Sequence, residues 1–345
     1  MRIAIYGAGS LGTIVGAYLS KGNQNVELID VNQEHIHTLN SSGATIVGTV
    51  NENVPVKAIT PEEMSGRYDL VLLLTKQIFN KQVLENIKPY LSKNGVLLSL
   101  QNGVPEEAVS AIIGKDKVIG GSVEFGATWV KPGVSELTSA ESAFKANAFQ
   151  IGELDGTITK RVQKIKEVLD LVGGTKISTN LVGTKWSKLM INIAMSGTSA
   201  VFGCTYGDVL NNETALETAI RLADETIKVG HSIGVKFVKM GGLEIEKFNL
   251  NKDRSNLNEA AEYAKVAFQP QALLKASMLQ DLEKGKKCEI DYINGVVSSK
   301  GKEVGISTPF NDLLVELVHK AEQEKSVPDF DTNIVYFNEL IDKGI

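Results

Sequence analysis

This chain has little cysteine, and it has no long apolar run. Its 345 residues include two cysteines, Cys204 and Cys288, which lie far apart in the sequence. Neither a disulfide framework nor a cysteine-based metal cluster follows from such a pair, so we expect two buried thiols. No uninterrupted apolar stretch approaches the ~20 residues of a membrane-spanning helix. Disulfide scaffolds and helical membrane proteins are therefore excluded.

Histidine is also scarce. Of the four histidines, only His35 and His37 lie close together. Residues two apart on a helix point to different faces, so these two rings are not placed to share a metal ion. We expect both side chains to be solvated. The sequence thus gives no support for a histidine-based triad or a zinc site, and we expect no metal. Any acid–base group has to be another residue type.

The chain has no excess of positive charge. Its formal net charge of −5 at pH 7 argues against a nucleic-acid partner or an anionic membrane partner. The first glycine motif begins so soon after Met1 that we expect no signal peptide, and hence a soluble cytoplasmic protein. The length, with 43% hydrophobic residues, predicts two domains with sizeable cores.

The most informative motif is Gly7-Ala8-Gly9-Ser10-Leu11-Gly12. It follows the apolar run Ile3–Tyr6 and opens an apolar-periodic stretch that reaches Leu19. This order of strand, glycine turn and helix is typical of a dinucleotide site. The first glycine permits a tight turn, the second lets a pyrophosphate approach the backbone, and the third lets helix and strand pack closely. A glycine-rich turn that binds nothing is the alternative.

Strand-like and helix-like segments alternate over residues 1–180, which predicts an α/β domain with a doubly wound, parallel, Rossmann-type sheet. Residues 122–152 are expected to extend that sheet with antiparallel strands. Helical periodicity dominates residues 181–327, which predicts an all-helical domain; by analogy with other helical second domains, we expect it to bind substrate and to support a dimer. Residues 328–345 are expected to form a surface tail, and the polar stretch 234–257 an irregular insertion of unknown role.

Asp30 ends the predicted second strand. In a dinucleotide fold an acid at this place accepts hydrogen bonds from the adenosine ribose and repels a 2′-phosphate. Residues 31–56 contain no lysine or arginine that could hold such a phosphate. The pattern favours NAD over NADP. Alternatively, or in addition, Asp30 caps the helix that begins near Asn32.

Two loops follow later strands of the same sheet, Thr75-Lys76 and Gln101-Asn102-Gly103. Ligands of open α/β sheets bind at the carboxyl ends of the strands, so we expect Lys76 and Asn102 to face a cofactor or a substrate. Taken alone, either could be an ordinary surface residue.

Three polar residues in the helical half share one stripe. Lys188, Asn192 and Ser196 recur at i, i+4 and i+8 among apolar neighbours. Such a lysine is either an edge residue with a snorkelling side chain or a proton donor in a cleft. Further on, Ser277 could be a helical hydroxyl, and Glu289 could simply open a helix and interact with its dipole.

In this order, the motifs resemble the ketopantoate reductase (2-dehydropantoate 2-reductase) family over about residues 1–325. The resemblance rests on the following segments: Gly7–Gly12, Thr75-Lys76, Gln101–Gly103, Lys185–Asn192, Ser277–Asp281, Glu289–Gly295 and Gly305–Pro309.

The resemblance implies a Rossmann-type domain, a helical domain and an active site in the cleft between them. It implies hydride transfer from NAD(H) or NADP(H) to the keto carbon of a 2-oxo acid. Lys188 would protonate the nascent alkoxide, and Glu289 would set the electrostatics and help to hold the substrate. The remaining implied residues are Asn102, Asn192, Ser196 and Ser277 for substrate, and Gly7, Gly9, Ser10, Leu11, Gly12, Asp30, Thr75, Lys76 and Asn102 for cofactor.

Three positions depart from the family pattern. Ser196 stands where the best-studied members have an asparagine that touches substrate, and Leu274 stands where we expect another polar amide. Asp30 stands where NADP-dependent members usually have a neutral or basic residue. The first two changes make the pocket less polar and favour a different 2-oxo acid.

We therefore expect a homodimeric reductase that makes a D-2-hydroxy acid, with ketopantoate as the first candidate substrate and pantothenate biosynthesis as its pathway. An NAD-dependent D-2-hydroxyacid dehydrogenase of the D-mandelate type is the alternative. A non-catalytic dinucleotide sensor is a third hypothesis, which the presence of Lys188 and Glu289 opposes.

Overall fold

The computed structural model describes residues 1–344 and separates the chain into two compact units. The first unit comprises Met1–Leu181, and the second begins at Val182. Each has its own secondary structure and is described separately.

The first unit contains twelve strands. They are β1 Arg2–Tyr6, β2 Asn25–Ile29, β3 Ala44–Gly48, β4 Glu52–Val54, β5 Ala58–Ile59, β6 Tyr68–Leu73, β7 Leu91–Ser99, β8 Val118–Val123, β9 Ala127–Lys131, β10 Val134–Leu137, β11 Phe149–Gly152 and β12 Thr175–Ile177. The helices of this unit are α1 Ser10–Lys21, α2 Gln33–Ser42, α3 Asn80–Ile87, α4 Glu106–Ile113, α5 Glu141–Ala146 and α6 Lys160–Leu169.

Eight of the strands form the main sheet, in the order β12-β11-β8-β7-β6-β1-β2-β5. Its pairs are parallel except for β8 with β11, which run antiparallel. Ile3, Ala4 and Ile5 of β1 are all buried, as expected for a central parallel strand covered on both faces. The prediction of a doubly wound Rossmann-type sheet is confirmed.

The prediction for residues 122–152 is only partly right. β11 does extend the main sheet, but β9 and β10 form a hairpin in a second, four-stranded sheet of order β4-β3-β10-β9. β10 pairs in parallel with β3, which lies some 90 residues earlier in the chain. The sequence pattern did not indicate this partner, because pairing across such a distance leaves no local signature.

The second unit is helical. Its helices are α7 Leu181–Ile191, α8 Thr198–Phe202, α9 Tyr206–Asn211, α10 Glu213–Ser232, α11 Leu257–Phe268, α12 Ser277–Glu283, α13 Asn294–Val304, α14 Pro309–Glu324 and α15 Phe330–Asp342, with the first residue of α7 still counted in the first unit. A π-helical segment, Asn192–Gly197, joins α7 to α8 without a break. The long helix α10 packs against this segment and against α9, α11, α13, α14 and α15.

The prediction of a surface tail over residues 328–345 is wrong for its described part, which ends at residue 344. Residues Phe330–Asp342 form helix α15, and the side chain of Phe337 is fully buried. Its ring packs at 5.3 Å from the ring of Phe202, measured between centroids. The apolar face of this last helix therefore completes the core of the second unit. Residues 234–257 are irregular as expected, apart from a bridge between Met240 and Leu243 and the 3₁₀ turn Ile245–Phe248.

Both cysteines are buried free thiols, as predicted. Burial raises the pKa of the Cys204 thiol to about 12, so it is protonated and unreactive near neutral pH. Within residues 1–344, no helix combines the length and the apolar character that crossing a bilayer requires.

Candidate functional site

In the first unit, the glycine motif lies where β1 turns into α1. Gly7 has a φ of +100°, and a Cβ there would stand 2.7 Å from the backbone nitrogen of Thr75. At Gly12, a Cβ would stand 2.2 Å from the carbonyl oxygen of Gly7. These two glycines are therefore required by the fold itself, for the turn and for the close packing of the helix upon it.

Gly9 is different, because nothing among the described residues requires a glycine at this position. A Cβ there would meet no described protein atom within 4 Å, and the backbone is extended with a φ of −65°. Gly9 is the N-cap of α1, and among the described residues no side-chain hydrogen bond caps the start of this helix. The first amides of a helix favour an anion such as a pyrophosphate. The space over Gly9 therefore fits a ligand that approaches the backbone closely.

Two further loops lie beside the glycine turn and are joined by buried amide side chains. The Gln101 Nε2 donates to the carbonyl oxygen of Thr75 at 2.7 Å and to Asn80 Oδ1 at 2.6 Å. The Gln77 Nε2 donates to the carbonyl oxygen of Asn102 at 2.7 Å. These bonds connect the ends of β6 and β7, so the structure brings Thr75-Lys76 and Gln101-Asn102 to one edge of the sheet.

The exposure of these loop residues fits a binding surface. Asn102 is exposed and Lys76 is half-buried, whereas Gln101 is buried. Thr75 Oγ1 is buried without a hydrogen-bond partner among the described residues. A buried hydroxyl without a hydrogen-bond partner destabilises the fold, unless a ligand supplies that partner. The residues at this edge therefore fit a dinucleotide.

Asp30 follows β2 directly and is half-buried. Its Oδ1 accepts the backbone N–H of Asn32 at 3.0 Å. The cap of helix α2 is Asn32 itself, whose Oδ1 accepts the N–H of His35, so the alternative in which Asp30 caps this helix is wrong. The next basic residue in the sequence, Lys57, forms an ion pair with Glu27.

In the second unit, the predicted stripe is the accessible face of the helix. Within residues 183–202, the side chains that are not buried are Lys188, Ile191, Asn192 and Ser196. The helix is α-helical through Lys188 and π-helical over Asn192–Gly197. π-Helical segments occur mostly inside α-helices and frequently at functional sites. The spacing i, i+4, i+8 was therefore a sound guide to exposure, although the helix is not regular.

Several elements of the second unit surround the π segment. Helices α9, α10 and α12 pack against it, and exposed Ser277 is the first residue of α12. A Cβ at Gly197 would lie 2.8 Å from Asn294 Oδ1, so the start of α13 also approaches the segment closely. Glu289 precedes the 3₁₀ turn Ile290–Tyr292 and α13 begins only at Asn294. The expectation that Glu289 opens a helix is therefore wrong.

Asn294 belongs to a buried polar chain behind the site. Its Nδ2 donates to Asn311 Oδ1 at 3.0 Å, and Asn311 Nδ2 donates to Glu225 Oε2 at 2.8 Å. The Glu225 carboxyl also accepts the backbone N–H groups of Phe310 and Asn311 at the start of α14. Desolvation raises the pKa of Glu225 to about 7, against the lowering effect of these three hydrogen bonds. The network fixes α10, α13 and α14 relative to one another.

Two of the three departures from the family pattern, Ser196 and Leu274, contact Tyr206, which the sequence did not single out. Ser196 Oγ and Tyr206 Oη are 2.7 Å apart, and the Tyr206 ring is buried. The Tyr206 backbone N–H donates to the carbonyl oxygen of Leu274 at 3.0 Å. Desolvation raises the pKa of this phenol, so it stays neutral and can donate or accept. No periodicity or spacing connects residues 196, 206 and 274 in the sequence.

The expectation for the two histidines is half wrong. His37 is exposed, but His35 is fully buried against the glycine turn. Its environment lowers the pKa of the ring, mainly through desolvation. The i, i+2 spacing correctly placed the two rings on different faces, but it could not indicate that one face is covered by the second sheet.

The comparisons with known proteins cover both units. Residues 3–151 match the family model described as ketopantoate reductase PanE/ApbA, and residues 180–322 match the model of its C-terminal part. The 2-dehydropantoate 2-reductase of Pyrococcus horikoshii is 31% identical over 323 residues, which are 93% of this chain and 98% of that protein.

Solved structures agree over the same extent. The ternary structure of D-mandelate dehydrogenase with NADH and anilino(oxo)acetate aligns with a TM-score of 0.80 and 25% identity, over 94% of this chain and 99% of that one. A ketopantoate reductase from Ralstonia eutropha aligns with a TM-score of 0.80 and 24% identity, again over 94% and 99% of the two chains.

Proposed function

Because this chain belongs to the ketopantoate reductase PanE/ApbA family of nicotinamide-dependent oxidoreductases, we propose that it reduces a 2-oxo acid to the D-2-hydroxy acid. The first candidate substrate is ketopantoate, which would place the protein in pantothenate biosynthesis. The observation that carries this proposal is the accessible stripe of Lys188, Asn192 and Ser196 on an otherwise buried helix.

The glycine turn and Asp30 would hold the nicotinamide dinucleotide, which when bound would supply the hydride for the keto carbon. The chain's own residues position the nucleotide and the acid and protonate the oxygen. The Lys188 Nζ donates a proton to the oxygen as negative charge develops there, and its positive charge also attracts the substrate carboxylate. Asn192 and Ser277 orient the acid through hydrogen bonds, and Glu289 balances the positive charge of the lysine.

The proposal is tested by following the absorbance of NADH and of NADPH with ketopantoate, benzoylformate and 2-ketoisovalerate in turn. We expect oxidation with at least one acid, at a rate that depends on its concentration. A Lys188→Ala protein is the control for adventitious oxidation. If no acid oxidises either cofactor, the chain is not such a reductase, and the dinucleotide sensor is the better hypothesis.

A second candidate substrate is supported by the surroundings of Tyr206. Ser196 shares its hydroxyl with the Tyr206 phenol, and the Tyr206 backbone N–H donates to the carbonyl oxygen of Leu274, whose apolar side chain is 42% exposed. An apolar residue at 274 and a hydroxyl already engaged at 196 favour a bulky apolar substituent over the hydroxyl of ketopantoate. Benzoylformate turnover above that of ketopantoate in the same panel would favour the D-mandelate type of dehydrogenase.

We propose that NAD is the preferred cofactor, on the strength of Asp30. Asp30→Asn keeps an oxygen for the Asn32 N–H but removes the charge that repels a 2′-phosphate. We expect the ratio of kcat/KM for NADH to kcat/KM for NADPH to fall about tenfold, equal to about 1.4 kcal/mol.

The control for this test is Glu34→Gln, which removes an exposed carboxylate from the first turn of α2. It should leave the ratio unchanged, which separates a local effect of Asp30 from a general change in charge. A wild-type protein that prefers NADPH would contradict the assignment. The homodimer and the cytoplasmic location expected from the sequence stay predictions.

A further inference from the structure

His35 lies at a junction of four elements of the first unit. It is the third residue of α2, and its ring is fully buried. On one side the ring Nε2 lies 2.7 Å from the carbonyl oxygen of Ala8, in the glycine turn. On the other side the backbone N–H of Gly133, in the β9–β10 hairpin, donates to Nδ1 at 2.9 Å. The Trp129 ring covers it, with 4.5 Å between the ring centroids.

The hydrogen bonds define the state of the ring. Nδ1 accepts a hydrogen bond from an N–H group, so it carries no proton. The Ala8 carbonyl can only accept, so Nε2 carries the proton and donates it. The ring is thus neutral and has both nitrogens satisfied. Its pKa is lowered by desolvation, while the bond to Ala8 and the charge of Asp30 act in the opposite direction.

A second group donates a hydrogen bond to the carbonyl oxygen of Ala8. The hydroxyl of Thr13, which is fully buried in α1, donates to the Ala8 oxygen at 2.8 Å. The oxygen therefore accepts two hydrogen bonds, one from each of two helices, and both of its lone pairs are used. The N–H groups of Gly7 and Ala8 donate to the carbonyl oxygen of Ile29 at 2.9 and 3.1 Å. The peptide on either side of Ala8 is thus held in one orientation.

This orientation matters because a trans peptide is planar. The carbonyl of Ala8 and the N–H of Gly9 belong to one peptide unit and point in opposite directions. Holding the oxygen against His35 and Thr13 therefore directs the Gly9 N–H to the opposite side. A Cβ on Gly9 would meet no described protein atom within 4 Å, and Gly9 is the N-cap of helix α1.

We propose that His35 is a positioning residue for the cofactor, which holds the Ala8–Gly9 peptide so that the Gly9 amide faces the pyrophosphate. His35 also connects the glycine turn to the second sheet, which gives that sheet a role in nucleotide binding. The inference rests on the nucleotide-binding part of the proposed function and does not depend on which 2-oxo acid is reduced.

Two substitutions distinguish the roles of the two ring nitrogens, Nε2 and Nδ1. In His35→Gln, the longer side chain can bring an amide N–H to the position of Nε2 and donate to Ala8. In His35→Asn, the shorter side chain can place an oxygen near Nδ1 to accept from Gly133, but it does not reach Ala8. Both variants lose the buried ring, so their losses of thermal stability should be similar.

The experiment measures the Kd of NADH by fluorescence, with kcat at saturating NADH as the second readout. We expect the Kd of His35→Gln to stay within about threefold of wild type and that of His35→Asn to rise about tenfold. In both, kcat per folded protein should stay near wild type, because no reacting group is changed. Thr13→Val, which removes the other donor with little change in volume, should also raise the Kd.

The outcomes are distinguishable. If His35→Asn and Thr13→Val bind NADH as tightly as wild type, the positioning role is overturned while the proposed function stands. If His35→Gln is impaired as much as His35→Asn, the ring acts by filling space and the inference is overturned as well. If the wild-type protein binds neither NADH nor NADPH, the proposed function itself fails.

Discussion

Replacement of Lys188 by alanine should lower kcat by about 10²–10⁴-fold, the usual contribution of a positioned general acid. The residue is half-buried on the accessible stripe of a helix whose other positions are almost all buried. Without its ammonium group, the developing alkoxide has neither a proton donor nor this positive charge beside it. The measurement is the steady-state rate of NADH oxidation with the best acid of the panel.

Two comparisons make this result specific. The Kd of NADH should not change in Lys188→Ala, because the proposed role of Lys188 is toward the acid and includes no contact with the nucleotide. Lys188→Arg keeps the positive charge but replaces the proton donor by a group that does not deprotonate in proteins. It should retain affinity for the acid and still turn over slowly. Wild-type kcat in Lys188→Ala would refute the proton-donor role.

The second large effect is expected at Gly9. Gly9→Ala introduces a methyl group where no atom of residues 1–344 is found within 4 Å, at a φ that any residue adopts. The melting temperature should therefore stay within a few degrees of wild type. A nucleotide that approaches this backbone would meet the methyl group, and we expect the Kd of NADH to rise about 10- to 100-fold.

Gly12→Ala is the matched control for Gly9→Ala. Its methyl group would stand 2.2 Å from the carbonyl oxygen of Gly7, so the helix has to move. Overpacking of this kind costs about 1–3 kcal/mol, and here the loss should appear in the melting temperature itself. If Gly9→Ala binds NADH normally, the pyrophosphate does not lie over this amide, and the assignment of the turn has to be abandoned.

The parts of the fold that the sequence predicted correctly are those with short-range patterns. The main sheet followed from alternating strands and helices, and the glycine turn from one strand–turn–helix unit. The stripe of Lys188, Asn192 and Ser196 followed from helical spacing, and the structure leaves these side chains accessible. Their roles in binding and catalysis stay predictions until the variants above are measured.

The errors in the fold involve partners that are distant in the chain, whereas those at Asp30 and Glu289 concern local helix boundaries. β10 pairs with β3 instead of extending the main sheet, and helix α15 folds back to bury Phe337. His35 was expected to be solvated because its i, i+2 spacing from His37 gave no shared face, yet the hairpin at Gly133 covers it. Tyr206 could not be found at all, since its contact with Ser196 crosses a turn between two helices.

The sequence by itself therefore determined a strand–glycine turn–helix unit, an acidic residue after the second strand and a lysine on an accessible helical face. Each depends on residues that are close in the sequence, where helical or strand periodicity and local steric preferences decide the conformation. Only the tertiary structure decided that Gly9 differs from Gly7 and Gly12, and that His35 and Thr13 hold the peptide before it. Those properties depend on which distant segments exclude water from a residue, and burial of that kind has no local pattern.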